Sequence, residues 1–146
     1  MNIEINIKTY ILFQQIMRFV KEYIPTTIFL LTVDLIWIFG IMGSFYNNQF
    51  SAFPKPETVP IWSGVMAWAL IPLGIVVFVN RNSKNWKESM LNGGLYGFIL
   101  YGVYDFTNYA TLGNWPLQLV IVDILWGTFL CSISSITLKK VSKWLK

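Results

Sequence analysis

Four long apolar stretches dominate this chain, at roughly 26–45, 61–79, 90–110 and 116–138, each bounded by polar or basic residues. At a rise of about 1.5 Å per residue, a helix of about 20 residues crosses the roughly 30 Å hydrocarbon core of a bilayer. The expected fold is therefore an all-α integral membrane protein, with four transmembrane helices in an antiparallel bundle. Composition agrees, since 55% of the 146 residues are hydrophobic and 12% charged, too apolar and too charge-poor for a soluble domain.

The basic residues set the expected orientation. Lys8, Arg18 and Lys21 precede the first stretch, Arg81, Lys84 and Lys87 follow the second, and Lys139, Lys140, Lys143 and Lys146 close the chain. The first connection carries Lys55 alone, and the third, 109–115, carries none. The positive-inside rule then places both termini and the second connection in the cytoplasm, most naturally at the cell membrane. Split among short flanks, these charges form no stripe for nucleic acid. The first connection, with Pro54, Pro56 and Pro60, should be irregular. In the third, Asn114 and Pro116 suit a helix start.

Residues 1–22 read differently from the four-helix domain at 23–146. Leu12, Phe13, Ile16, Met17, Phe19 and Val20 share one side at helical spacing, with Gln14, Arg18 and Lys21 opposite, which predicts an N-terminal amphipathic interfacial helix on the cytoplasmic leaflet. A signal peptide fits less well, because the next apolar segment is too long and lacks a cleavage site.

The Glu residues (Glu4, Glu22, Glu57, Glu88) lie in hydrophilic segments, whereas Asp34, Asp105 and Asp123 all lie inside apolar runs. On the third helix Gly93, Gly97, Tyr101, Tyr104, Asp105 and Asn108 fall within one third of the circumference, away from Leu95, Ile99, Val103 and Phe106. On the fourth, Asp123, Gly127, Cys131, Ser134 and Ser135 share an arc. The short turn between the helices makes them neighbours whose polar faces should meet, with Gly93, Gly97 and Gly127 permitting close approach. Asp105 and Asp123 then lie roughly 8–10 Å below the outer surface, close enough to share a proton, with Asp34 nearer the midplane. A local likeness joins Val33-Asp34-Leu35-Ile36-Trp37 to Val122-Asp123-Ile124-Leu125-Trp126, with each indole expected beside the Asp of its own helix.

Tyr101-Gly102-Val103-Tyr104-Asp105-Phe106-Thr107-Asn108-Tyr109-Ala110-Thr111-Leu112, then Trp115-Pro116, then Asp123-Ile124-Leu125-Trp126-Gly127-Thr128 resembles the predicted membrane protein family known as domain of unknown function 2177 (DUF2177). The likeness extends back through Asp34-Leu35-Ile36-Trp37 and Phe45-Tyr46 and covers roughly 21–137. It implies a small four-span protein and marks the Asp residues as part of the family pattern, but it implies no reaction. The segment before about Met17 precedes the usual family start, and the second helix, with Trp68 and Pro72, follows the pattern less closely.

With no Lys, Arg or His inside the four stretches, the intramembrane carboxyl groups have no internal countercharge, which makes them candidate functional groups. The expected ligand or proton site comprises Asp105, Asp123, Asp34, Asn108, Tyr101, Tyr104, Thr107 and Trp126; Trp62 and Trp115 read as interfacial anchors. The structural alternative is a network that only fastens helices together, in which Asp34 would find Ser134 or Thr137. The absence of His and the single cysteine, Cys131, exclude His-based metal sites, His-based triads and an intrachain disulfide, and neither a catalytic motif nor a cofactor fingerprint is present. The favoured function is binding or transport of a proton, cation or small polar solute, ahead of a membrane-embedded enzyme acting on lipid and of a non-catalytic subunit or assembly factor. The expected partners are the lipid bilayer, a second copy in a homodimer, or another membrane protein.

Overall fold

A computed structural model describes residues 2–51, 53 and 58–144, with side chains from Ile7 onward. Pro54, Lys55, Pro56, Glu57 and Lys146 lie outside the described residues, as does the side chain of Glu4. Among the described residues the chain forms helices and no strand: α1 (Asn2–Leu35), α2 (Gly43–Phe50), α3 (Ile61–Gly74), α4 (Trp86–Thr111) and α5 (Leu117–Trp144). Two of them end in wider π-helical turns, α1 through Ile36–Ile41 and α3 through Ile75–Asn80.

Among the described residues, three helical segments are both long and apolar enough to cross a membrane: Ile7–Ile41, Ile61–Asn80 and Leu117–Trp144. The 26 residues of α4 have the length, roughly 39 Å at the helical rise, but not the hydropathy. Its shortfall has a structural cause, because its inward face is built from Ser89, Gly93, Gly94, Gly97, Gly102 and Asp105, all buried.

Local sequence explains the element ends. Asn85 caps α4, its side chain accepting from the backbone N–H of Lys87 and Glu88 at 3.0 Å each, while Glu88 reaches back to the Lys84 N–H at 2.8 Å. This reciprocal capping starts the helix ahead of the apolar run. Pro116 precedes α5 and its carbonyl accepts from Leu119 and Val120. The helix α1 passes through Pro25 uninterrupted, so the N-terminal segment and the first span are one helix. The missing proline N–H removes one backbone bond, and Thr26 and Thr27 donate their hydroxyls to the carbonyls of Glu22 and Tyr23 at 2.7 and 2.8 Å on either side of it. Ile7 to Arg18 are exposed all round, so this half of α1 projects beyond the packed helices.

The first connection is less irregular than the prolines suggested. Tyr46 to Phe50 belong to α2, which follows directly on the π turn; there the Met42 N–H bonds the Trp37 carbonyl, five residues back, at 2.8 Å.

Polarity is partitioned inside out. Leu95, Ile99, Val103 and Phe106 of α4 and Leu125 and Phe129 of α5 are more than half exposed, whereas Ser89, Ser134, Ser135 and Asp105 are 0% exposed. Helices in lipid gain nothing by hiding leucine from hydrocarbon and associate through small residues and hydrogen bonds. Contacts between α4 and α5 descend one helix as they ascend the other. Ser89 Oγ donates to the Ser135 carbonyl at 2.9 Å, Gly93 abuts Cys131 and Ser135, and Gly97 abuts the Gly127 backbone. Two apolar clusters complete the interior, one around Leu30, Ile75, Val76, Leu130 and Leu138, the other around Trp115, Leu119, Val120 and Ile124.

Candidate functional site

Between these clusters lies a cavity of about 650 Å³, lined by Asp34 and Ile38 from the first helix and its π turn, Tyr46, Asn47 and Phe50 from α2, Trp68 and Ile71 from α3, Tyr96, Leu100, Tyr101 and Tyr104 from α4, and Asp123 and Trp126 from α5. Trp126 packs on the first cluster and Tyr46 and Tyr101 on the second. The α4 contribution follows its helical repeat, Tyr96, Leu100 and Tyr104 standing four residues apart.

Asp34, 3% exposed, accepts an indole N–H on each carboxylate oxygen, from Trp126 at 2.8 Å and Trp68 at 3.0 Å. Asp123 accepts the Tyr46 hydroxyl at 2.5 Å, and that hydroxyl accepts the Trp37 indole N–H at 3.2 Å. Trp37 and Trp126 stack face to face, their centroids 4.1 Å apart and their planes 4° from parallel. The two Asp-x-x-Trp segments therefore serve each other. The indole three residues after Asp123 holds Asp34, and the indole three residues after Asp34 holds Asp123 through a phenol. Pairing within one helix, the sequence expectation, is replaced by exchange between helices. A side chain leans back along its own helix, but the stacked indoles here direct their N–H edges onto the neighbouring helix.

Asp105 is held differently. It is 0% exposed, and its Oδ1 accepts the Trp115 indole N–H at 3.3 Å while Oδ2 has no hydrogen-bond partner among the described residues. It does not line the cavity, and no hydrogen bond joins it to Asp123 among the described residues. Trp115, expected as an interfacial anchor, is 8% exposed and packs edge-on against Phe50, Phe53 and Tyr104. Trp62, at 72% exposed, does face outward.

Of the expected site residues, then, the cavity gathers Asp34, Asp123, Tyr101, Tyr104 and Trp126, and leaves Asp105, Asn108 and Thr107 outside its lining. Thr107 is exposed and Asn108 half-buried. Asp34 finds neither Ser134 nor Thr137, because Trp68 of α3 reaches it first; the Ser134 hydroxyl is buried without a partner among the described residues, and Thr137 bonds the Ile133 carbonyl within its own helix. The expected glycines Gly93, Gly97 and Gly127 stand at close contacts. A Cβ on Gly93 would come within 2.2 Å of Ser135 Oγ, on Gly97 within 2.2 Å of the Gly127 carbonyl oxygen, and on Gly127 within 2.1 Å of the Tyr101 ring.

The lining residues not expected at the site include Tyr46, Phe50, Trp68 and Tyr96. Phe45-Tyr46 stands within the family-like string and could have drawn notice; the role of Trp68 has no sequence signal, since it depends on where α3 packs.

The profile of a family described as "Predicted membrane protein (DUF2177)" matches residues 19–138, a stretch that contains every residue of the cavity. The chain belongs to this family. No curated protein and no solved structure matches it. The matched range begins inside α1, so the exposed N-terminal half of that helix lies outside the shared part of this DUF2177 protein. Membership agrees with apolar, outward-facing helices embedded in a lipid bilayer.

Proposed function

We propose that this protein spans the membrane four times, with α4 as the remaining span of an antiparallel bundle, and binds a small organic cation in the cavity between Asp34 and Asp123. One observation carries the proposal: two carboxylates face a cavity walled by aromatic rings, and among the described residues no Lys or Arg lines it. A bound cation would supply the missing countercharge, and the faces of Trp68, Trp126 and the tyrosines would attract it further. Calcium and magnesium favour six to eight oxygen ligands, which two carboxylates in an aromatic wall do not provide. The volume suits a small molecule. The hydroxyl and indole donors hold both carboxylates as acceptors, leaving charge to be matched by the ligand.

The basic side chains Arg18, Arg81, Lys84, Lys139 and Lys143 gather around one end of the molecule, which supports a cytoplasmic assignment for that end and for both termini. The exposed apolar residues Leu12, Phe13 and Ile16 support contact of residues 1–22 with lipid as a peripheral extension.

The test is a tryptophan-fluorescence titration of the detergent-purified protein with tetraphenylphosphonium, using tetraphenylborate as the size-matched anion. Saturable binding of the cation alone is expected, weakened about tenfold or more in Asp123→Asn. Equal responses to both ions, or an unaltered titration in Asp123→Asn, would sink the reading. Flux of the same cation into liposomes would extend binding to transport.

A further inference from the structure

At the basic end of the molecule a second cavity of about 520 Å³ opens between α1, the α3–α4 connection and the end of α5, and Arg18, Arg81, Lys84, Lys139 and Lys143 surround it, with Glu22 the one carboxylate among the described lining residues. Its floor is built. Glu22, 6% exposed, accepts from Arg18 Nε at 3.2 Å, Asn80 Nδ2 at 3.3 Å and Ser142 Oγ at 2.9 Å. Asn80 also donates to Ser142 Oγ at 3.2 Å, and Lys139 Nζ donates to the carbonyls of Asn80 and Ser83. These bonds join α1, α3 and α5 and orient Arg18 and Lys139 toward a common space. Topology alone asks only that basic residues lie near this end; it does not ask that three separate segments aim them into one concavity.

A second hollow, of about 460 Å³, shares Lys139 and Lys143 with the first and continues onto Trp86, Ile136 and Lys140. Cationic groups thus pass directly into an apolar and aromatic wall, the sequence of surfaces met by a lipid phosphate and the chains below it. We propose that this end of the protein binds the phosphate headgroup of an anionic phospholipid, with Arg81 and Lys84 contacting the phosphate beside Lys139 and Lys143. Convergent basic pockets between membrane helices suit such headgroups, and Arg adds a bidentate fork to phosphate. The inference rests on the bilayer reading and is independent of cation binding at Asp34 and Asp123.

Native mass spectrometry of the full chain, released from mixed micelles of dioleoylphosphatidylglycerol and dioleoylphosphatidylcholine, tests it. Wild type should retain the phosphatidylglycerol preferentially, and Arg81→Gln/Lys84→Gln should lose most of that preference, since each basic group near the surface is worth about fivefold. Lys8→Gln/Lys21→Gln removes the same charge elsewhere and should retain it. Equal preference in all three proteins would overturn the site in favour of diffuse charge. Binding of inorganic phosphate by wild type without any lipid preference would overturn the lipid assignment. Unchanged thermal unfolding of the variants, whose mutated side chains are exposed, shows that folding is not the cause.

Discussion

Asp34 uses both carboxylate oxygens, one for each indole, whereas Asp123 needs only one for the Tyr46 hydroxyl. That difference separates two otherwise identical substitutions. Asparagine offers a single acceptor oxygen, so Asp34→Asn must leave one half-buried indole N–H facing an amide N–H. It should destabilise the protein by about 1–3 kcal/mol, read as a lowered thermal midpoint in detergent. Asp123→Asn keeps the acceptor that Tyr46 needs and should fold with smaller loss, which makes it the cleaner probe of binding. A comparable loss in both variants would mean that the indole bonds contribute little. The candidate carboxylates were legible as residues, because an Asp in an apolar run has no ordinary explanation. Their partners were not legible, because both indole partners of Asp34 come from other helices.

The pairing of α4 with α5 depends on removing side chains as much as on adding them. Gly97 lies against the Gly127 backbone, where an added Cβ would meet the carbonyl oxygen at 2.2 Å, a contact no side-chain rotation relieves. Gly97→Ala should therefore cost about 1–3 kcal/mol and loosen the α4–α5 contact. At Gly64 of α3 an added Cβ would meet open space, with no neighbouring atom within 4 Å, so Gly64→Ala should be neutral or slightly stabilising through helix propensity. Parallel thermal unfolding of the two variants checks the contrast, and equal behaviour would remove the close-packing account. The π turns at the ends of α1 and α3 matter at the same scale. A wider turn rephases every later side chain, and the one at Ile36–Ile41 contains Trp37, whose ring stacks on Trp126. Apolar sequence alone carries no mark of such a turn.

Across the whole molecule, the decisive question is whether α4 crosses the bilayer. Its low hydropathy comes from the face turned toward α5, while its opposite face, with Leu95, Ile99 and Val103, is exposed and apolar. A spanning α4 puts Asn82 and Gly113, which flank it, on opposite sides of the membrane. In intact cells a membrane-impermeant maleimide should label Gly113→Cys and spare Asn82→Cys until the cells are opened. The native Cys131, 0% exposed, should remain silent. Labelling of both positions from one side would reduce the protein to three spans.

That this chain meets a lipid bilayer was readable from the residues alone, because hydropathy is a local property summed along the chain. The residues also marked the polar and glycine face of α4, since helical periodicity alone collects Gly93, Gly97 and Tyr101 on one side. The packing of separate helices is what brings Asp34 and Asp123, rather than Asp105 and Asp123, to one cavity, turns Trp115 inward to Asp105 and lets α2 supply Tyr46. Those outcomes depend on how separate helices rotate and meet, and rotation is set by packing partners distant in the chain rather than by the local apolar pattern.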